Sequence, residues 1–391
     1  MVDLSRLSEL IPAEPGTADW SIPTRIRVGV ARSTELTEAC REAGITRPLV
    51  VSDTGLVASG TLAVVLEPLT EAFGEVAVFD SVSADPDHAC VDDGARSYRS
   101  ADCDGIVAVG GGSVLDAAKL ISLSVAADRP IADLVGRAES VTEPIVPVIA
   151  LPTTAGTGSE VGRAAVLSVP GESKTIIFHP RLMPVSVICD PLLTIGLPRP
   201  LTVATGFDAL SHALEAWCSP ALHPTADAIA AESARLALTA LPVAADEPDH
   251  LGARQQMMVA ALMGATAFQK GLGIMHALSH PIGAIHRTHH GLTNAVLMPF
   301  ALEANRPAIE PKMDRLATWV GIEGGMNGIL EVICAQREAL GVPDTLVELG
   351  VGSDGWDRLI DAAVVDPSAA TNPIPVTSEF ARRVLIAASG N

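Results

Sequence analysis

Aromatic residues are scarce in this sequence, at 3% of 391 residues, although hydrophobic residues together make up 48%. We therefore expect a large core built mainly from aliphatic side chains. Basic residues are also few, with 26 lysines and arginines against 46 acidic residues and a net charge of −20. Because an acidic protein repels phosphate backbones and anionic lipid, neither nucleic acid nor a membrane is an expected partner.

Cysteine pairs of the Cys-x-x-Cys type are absent, and the six cysteines are scattered along the chain. This spacing excludes a disulfide scaffold and a cysteine-ligated zinc module. No uninterrupted apolar run reaches the roughly 18–20 residues that a membrane span needs. The first twenty residues carry both acidic and basic side chains and do not resemble a secretory signal peptide. A cytoplasmic location is therefore the expectation.

The pattern of the chain changes near residue 190. Before it, short apolar runs alternate with helical stretches, which predicts βαβ units and a parallel sheet. After it, apolar residues recur at three- and four-residue spacing, which predicts helices. We therefore expect an α/β domain over residues 1–189 and an all-α domain over residues 190–391. Strands are predicted at Arg47–Ser52, Glu75–Asp80, Asp104–Val109 and Pro144–Leu151, and helices at Leu56–Phe73, Thr205–Trp217, Ala226–Leu241, Ala253–Lys270 and Met275–Ile285.

Three consecutive glycines, Gly110, Gly111 and Gly112, follow the third predicted strand and precede a helix predicted from about residue 114 to 125. Glycine lets the backbone approach a ligand closely, and a helix N-terminus offers unpaired N–H groups and a positive dipole end. Ser113 is expected at the N-cap and Asp116 in the first turn. The segment is a candidate pyrophosphate cradle. The alternative is a tight strand-to-helix turn, because the spacing differs from the G-x-G-x-x-G fingerprint.

Two further segments could contact a nucleotide. Residues 151–160 (LPTTAGTGSE) follow the fourth predicted strand, and their hydroxyl groups could line a ribose or phosphate; the alternative is a surface loop. Asp53 ends the first predicted strand. Its carboxylate could accept the hydroxyl groups of an adenosine ribose and repel a 2′-phosphate, or it could cap the following helix.

Histidine is concentrated in one short stretch of the second half. Asp208 and His212 lie four residues apart in a predicted helix and share one helix face. His276 and His280 repeat this spacing, and five of the ten histidines fall between His276 and His290. A lone histidine in an apolar helical region is usually a core residue, but the density of this cluster favours a metal site. Neutral imidazoles with one carboxylate suit Fe²⁺ or Zn²⁺.

Four long motifs together resemble the iron-containing (group III) alcohol dehydrogenases over nearly the whole chain. The resemblance implies a Rossmann-like N-terminal domain that binds the dinucleotide. It also implies an all-α C-terminal domain that binds metal and substrate, in a dehydroquinate synthase-like architecture that is commonly dimeric. The motifs occur in the family's order: GGGSVLDAAK, LPTTAGTGSEV, DPLLTIGLP followed by ATGFDALSHALEAW, and GLGIMHALSHPIGAIHRTHHG.

The resemblance also implies a reaction and its residues. The reaction is hydride transfer between NAD and a small alcohol or aldehyde, with Fe²⁺ or Zn²⁺ as the metal ion. His280 is placed near the nicotinamide ring as the catalytic residue, and Asp53 at the adenosine ribose. The implied metal ligands are Asp208, His212, His276 and His290. The other implied cofactor contacts are Asp85 (where many members have Asn), Gly110, Gly111, Gly112, Ser113, Asp116, Thr153, Thr154 and Lys174.

The chain departs from the family pattern at a few positions. His289-His290 stands where many members have Pro-His, and His290 is taken as the ligand because it keeps the spacing of 14 from His276. His286 stands where an aromatic residue is common, and Arg163 where many members have a smaller one. Alternative activities are a maleylacetate reductase-like enzyme, a hydroxyacid or semialdehyde dehydrogenase, a dehydroquinate synthase-like lyase, or a non-catalytic NAD or metal sensor. The complete ligand set speaks against the metal-free maleylacetate reductases.

Overall fold

The computed structural model describes residues 18–20, 24–168 and 175–390. The chain forms two compact units that divide between Leu197 and Pro198. The predicted boundary lay between residues 189 and 190. The segment after it stays with the first unit, because the Asp190 carboxylate accepts hydrogen bonds from the Ala31 and Ser33 amides at 3.1 and 2.9 Å.

A seven-stranded sheet forms the centre of the first unit, in the order β1-β2-β9-β6-β5-β3-β4. β1 is antiparallel to β2 and all other neighbours are parallel. β7 and β8 form a separate antiparallel pair. The strands are β1 (Ala18–Trp20), β2 (Arg25–Val28), β3 (Pro48–Val51), β4 (Ala77–Phe79), β5 (Gly105–Gly110), β6 (Val148–Pro152), β7 (Ala164–Leu167), β8 (Thr175–Phe178) and β9 (Ser186–Cys189).

The central strands are buried on both faces. β3, β5 and β6 are fully buried and read as continuous apolar runs, as expected where helices cover a parallel sheet on both sides. The helices of this unit are α1 (Leu36–Glu42), α2 (Thr54–Ala58), α3 (Thr61–Phe73), α4 (His88–Ser100) and α5 (Gly112–Ala127). The single helix predicted at Leu56–Phe73 is wrong: Gly60, with φ +78°, separates α2 from α3.

The strand order reverses between β3 and β5. In the sheet, β4, the next strand along the chain, lies on one side of β3. β5 lies on the other side of β3, and β6 lies beyond β5. In parallel α/β sheets, ligands bind outside the carboxyl ends of the strands at such a reversal. Asp53 follows β3 and the glycine turn follows β5, so both lie at the carboxyl ends of these adjacent strands.

The second unit is helical in its described residues. Its central helix, α6, is buried at every residue from Thr202 to Cys218 and packs against α7, α8 and α10. The helices are α6 (Arg199–Cys218), α7 (Pro224–Asp246), α8 (Leu251–Ala267), α9 (Ile274–His286), α10 (His290–Val320), α11 (Gly325–Leu340), α12 (Trp356–Val365) and α13 (Ser378–Ser389). The predicted fold class, a parallel α/β unit followed by a helical unit, is confirmed.

By length and composition, α7 would be able to cross a membrane, as would α8 and α9 if that bent pair counted as one span. Within α7, however, 67% of the apolar window is buried inside the protein. This burial is typical of a core helix, and α7 packs directly against α6 and α8.

Candidate functional site

Asp53 caps α2 through its side chain. Its Oδ1 accepts hydrogen bonds from the amides of Gly55 at 2.8 Å and Leu56 at 3.1 Å. The neighbouring Ser52 hydroxyl donates to the Val109 carbonyl at 2.9 Å, which joins the ends of β3 and β5. Asp53 is thus held beside the glycine turn by an N-cap and by the sheet. The cap was one of the two roles predicted for it, and it leaves a ribose contact compatible with the geometry.

Two of the three glycines, Gly111 and Gly112, let two loops pack together, whereas Gly110 makes room for Val114 of α5. A Cβ at Gly112 would lie 2.6 Å from the Thr157 methyl group, and one at Gly111 would lie 3.2 Å from the Thr154 methyl group. The Thr153 amide donates to the Gly110 carbonyl at 3.0 Å. The turn at the start of α5 and the threonine segment after β6 therefore form one surface, and no N-cap side chain covers the start of the helix there.

Ser113 and Asp116 differ from their sequence-based expectations. Gly111, and not Ser113, is the N-cap of α5, and the Ser113 hydroxyl instead donates to the Ala84 carbonyl. Asp116 lies beyond the first turn because α5 begins at Gly112. Its carboxylate accepts from the Ser159 hydroxyl at 2.5 Å and from the Val166 amide at 3.1 Å. Asp116 therefore ties α5 to the threonine segment and to β7.

The described residues among the remaining predicted cofactor contacts, Thr153, Thr154 and Asp85, lie at or near this surface. Thr153 is buried and Thr154 half-buried in the segment after β6. Asp85 is exposed and adjacent to Ala84, the carbonyl that accepts from Ser113. Arg163 is exposed just before β7. Lys174 lies outside the described residues.

A second group of predicted residues converges in the helical unit. One donor atom each of Asp208 on α6, His276 on α9 and His290 on α10 lies within 4.8 Å of the others. The Asn294 amide nitrogen reaches all three, at 2.9 Å from Asp208 Oδ1, 3.3 Å from His276 Nε2 and 3.2 Å from His290 Nε2. We call Asp208, His276, His290 and Asn294 the donor cluster.

His212 lies beside the donor cluster without completing it. Its ring stacks on the His276 ring with centroids 4.9 Å apart and contacts Phe268 at 5.0 Å. It is buried, and within the described chain its Nδ1 has no hydrogen-bond partner. A buried polar atom without a partner is expected where an ion or water completes the site.

Burial and neighbouring charges set the protonation of the cluster. Burial raises the pKa of the Asp208 carboxyl, but the adjacent imidazoles and the Asn294 amide outweigh it and lower the pKa to about 2. Burial and the His212 imidazole hold the pKa of His276 well below its usual value. At neutral pH the site therefore presents an anionic oxygen and a neutral imidazole, the protonation states that bind a divalent metal ion.

His280 lies one turn after His276 at the border of the cluster. Its ring stacks on the His290 ring at 5.4 Å, and its Nδ1 lies 2.8 Å from Asp366 Oδ2. His289 is exposed and precedes the first residue of α10, so His290 is the member of the pair that joins the cluster. His286 is half-buried at the end of α9 and lies outside the cluster.

The residues present fit a divalent ion and a dinucleotide. Oxygen and imidazole donors suit Fe²⁺ or Zn²⁺. His212, whose ring stacks on that of His276, adds a buried nitrogen that has no partner among the described residues. Three successive residues without Cβ atoms at the start of a 16-residue helix suit a pyrophosphate.

Both halves of the chain match one family. Residues 23–191 match the model described as iron-containing alcohol dehydrogenase, and residues 202–388 match the C-terminal model of the Fe-containing alcohol dehydrogenase family. The chain belongs to the iron-containing alcohol dehydrogenase family. This membership confirms the predicted resemblance and the enzyme class, an oxidoreductase of alcohols that works with NAD and a divalent metal ion.

Relatives of this alcohol dehydrogenase match over almost their whole length. It is 38% identical over 375 residues to 4-hydroxybutyrate dehydrogenase of Cupriavidus necator, covering 93% of this chain and 97% of that protein. The structure of a 1,3-propanediol oxidoreductase superposes with a TM-score of 0.88 at 35% identity, covering 92% and 96% of the two chains. Sulfoacetaldehyde reductase from Bifidobacterium kashiwanohense, in complex with NAD⁺, also gives 0.88, at 28% identity and 96% and 99% coverage.

Sequence reasoning missed three polar residues in and around the donor cluster of this alcohol dehydrogenase. Asn294 follows His290 by one helical turn, so its i, i+4 spacing was a usable signal. Glu215 follows Asp208 by seven residues on the same face of α6, and this spacing also pointed to the cluster. Asp366 is 86 residues from His280, and no local pattern indicates that contact.

Proposed function

We propose that the chain is an NAD-dependent dehydrogenase of small alcohols that also reduces the corresponding aldehydes, with its divalent ion held by Asp208, His212, His276 and His290. The convergence of the three donor atoms within 4.8 Å of one another carries this proposal. His212 is included because it supplies the adjacent buried nitrogen that has no partner in the described residues. The ion is Fe²⁺ or Zn²⁺, which share these ligand types.

When bound, the ion polarises the substrate oxygen and NAD accepts or supplies the hydride. The protein positions the substrate and NAD, and its side chains transfer the proton. His280 is proposed as the catalytic residue. Its Nδ1 is hydrogen-bonded to Asp366, so its Nε2 is the atom that can exchange a proton with the substrate. Asp366 is therefore a positioning residue for His280.

The cofactor is proposed to bind along the carboxyl ends of β3, β5 and β6. The amides of Gly111, Gly112 and Ser113 would receive the pyrophosphate, Asp53 the adenosine ribose, and Thr153 and Thr154 further parts of the cofactor. The family resemblance supports three further cofactor contacts in this proposal: Gly110, Asp85 and Lys174. Asp116 stays in it as a residue that holds the surface together, since both of its carboxylate oxygens accept internal hydrogen bonds.

The substrate is proposed to be a short alcohol or aldehyde, and an ω-hydroxy acid or its semialdehyde is the first variant to test. A relative named 4-hydroxybutyrate dehydrogenase, 38% identical to this chain, supports that choice. A metal-free maleylacetate reductase-like activity is disfavoured by the complete set of ligand types. A dehydroquinate synthase-like lyase would release no net NADH.

The test uses full-length protein that is stripped with a chelator and reloaded anaerobically with Fe²⁺ or Zn²⁺. NADH formation is followed with ethanol, 1,3-propanediol and 4-hydroxybutyrate. We expect activity only in the reloaded protein, and its loss in His276→Ala. Equal activity before and after reloading would contradict the proposed metal role. Metal and NAD⁺ binding without turnover of any of the three alcohols would contradict the proposed reaction.

We further propose that the enzyme is a cytoplasmic homodimer without nucleic-acid or membrane partners. The dimer rests on the family resemblance, and the lack of such partners rests on the net charge of −20. Light scattering on the purified protein at micromolar concentration should give twice the chain mass of 40.4 kDa. The chain mass alone would contradict the dimer.

A further inference from the structure

Glu215 connects the helix that carries two predicted ligands to the helix that carries a third. It lies on α6, three residues after His212, and is buried. Its Oε1 accepts a hydrogen bond from the Met275 amide at 2.7 Å, and its Oε2 lies 2.6 Å from His276 Nδ1. A single carboxylate therefore contacts both the first turn of α9 and the imidazole of that turn.

The start of α9 has no cap of its own. Its N-cap residue is Gly273, which has no side chain, and the first two helical amides are satisfied from elsewhere in the chain. Asn372 Oδ1 accepts from the Ile274 amide at 3.0 Å, and Glu215 accepts from the next amide. A Cβ at Gly273 would lie 2.7 Å from Asn372 Oδ1 and 2.9 Å from Glu215 Oε1, so glycine is what lets both acceptors approach.

The contact with His276 has a chemical consequence. A carboxylate accepts hydrogen bonds, so the imidazole atom facing it, Nδ1, is the one that carries the hydrogen. The neutral ring then has its lone pair on Nε2, the atom that lies in the donor cluster 3.3 Å from the Asn294 amide nitrogen. Partners of this kind fix the tautomer and orientation of metal-binding histidines.

We propose that Glu215 is a positioning residue of the metal centre: its carboxylate fixes the start of α9 and the Nδ1–H tautomer of His276, so that Nε2 binds the ion. This role rests on the proposed metal site. It predicts that the two functions of the carboxylate can be separated. Asn372 performs only the first, since it caps the same helix turn and contacts no histidine among its described hydrogen bonds.

Glu215→Gln separates the functions. The amide oxygen can still accept from Met275, but the amide nitrogen then faces His276 Nδ1 as a donor and favours the opposite tautomer, with its hydrogen on Nε2. Full-length, metal-free wild type, Glu215→Gln and Asn372→Ala are titrated with Co²⁺ by visible absorbance, and their metal-free melting temperatures are recorded.

We expect Co²⁺ binding by Glu215→Gln to weaken by about 10–100-fold. We expect Asn372→Ala to lower the melting temperature, because it loses the helix cap and the hydrogen bonds to Asn305 and Ile374. Its Co²⁺ affinity should stay within about twofold of wild type, because none of these contacts involves a histidine. Either of two results overturns the role of Glu215 alone. One is wild-type Co²⁺ affinity in Glu215→Gln. The other is a loss of Co²⁺ affinity that parallels the loss of melting temperature to the same extent in both variants. Absence of Co²⁺ binding in wild type overturns the proposed metal site and this role together.

A second measurement needs no substitution at Glu215. In metal-free wild type labelled with ¹⁵N-histidine, the His276 resonance is assigned by its absence from His276→Gln. We expect Nδ1 to carry the hydrogen and Nε2 to be unprotonated at neutral pH. The opposite tautomer, or an equal mixture of the two, overturns the proposal even if Glu215→Gln does not fold.

Discussion

At the scale of single residues, the Asp53 carboxylate has one observed role, as an N-cap, and one proposed role, at the adenosine ribose. Its Oδ1 accepts from two amides at the start of α2, and the residue stands at the reversal of the strand order. The first role contributes about 1 kcal/mol to stability, as N-caps do. The proposed second role would be electrostatic, because a carboxylate beside an adenosine ribose disfavours a 2′-phosphate.

Asp53→Asn removes the charge and keeps the cap, because asparagine is an equally good N-cap. We expect the preference for NAD⁺ over NADP⁺, measured as the ratio of kcat/KM values, to fall by about tenfold or more, which corresponds to about 1.4 kcal/mol. The melting temperature should stay at the wild-type value. Asp53→Ala, the control, should show the same change in preference and also lose stability. An unchanged ratio in both variants would rule out the ribose role.

At the scale of helices, Gly291 determines how closely α10 approaches α6. A Cβ at this position would lie 2.1 Å from the Ala204 carbonyl oxygen and 3.0 Å from Asp208 Cβ. The glycine follows His290, so the close approach brings that imidazole towards the Asp208 carboxylate. The glycine in the histidine motif is thus explained by backbone packing between two helices.

Gly291→Ala must push the two helices apart. We expect it to lower the free energy of unfolding by about 1–3 kcal/mol, as overpacking does, and to weaken Co²⁺ binding at least tenfold. Gly283→Ala on α9 is the matched control, because its new Cβ would have no described neighbour closer than 3.7 Å. That variant should bind Co²⁺ like wild type. Wild-type binding by Gly291→Ala would show that the approach of α10 does not set the ligand geometry.

At the scale of the whole molecule, the net charge of −20 opposes compaction. Salt shortens the range of this repulsion from about 30 Å at 0.01 M to about 8 Å at 0.15 M. We therefore expect the melting temperature to rise by about 1–2 °C between these NaCl concentrations, which corresponds to about 1 kcal/mol for a chain of this length. The rise should level off above about 0.2 M if screening causes it. A melting temperature that stays constant or falls as salt is added would contradict the proposed charge repulsion. Scanning calorimetry measures the melting temperature directly.

Much of the architecture was readable from local pattern. Continuous apolar runs predicted β3, β5 and β6, because strands covered on both faces exclude polar side chains. An apolar run also predicted β4, although this strand lies at the edge of the sheet and its Val78 is exposed. Apolar spacing predicted α6 to α9, each bound within six residues of the observed one. β2 was not predicted: its four residues include Arg25 and Arg27, and Arg27 is buried by pairing with Glu42 at 2.7 Å, a contact that lies 15 residues away.

The sequence by itself determined the order of the two units, the histidine-rich motif and the glycine turn, because periodicity and residue type are local properties of the chain. The tertiary structure alone decided what those residues contact. Asp116 and Ser113 bond to other loops, and the carboxylates that orient His276 and His280 come from 61 and 86 residues away. Hydrogen bonds depend on distance in space, and only the packed helices and sheet bring such distant groups together.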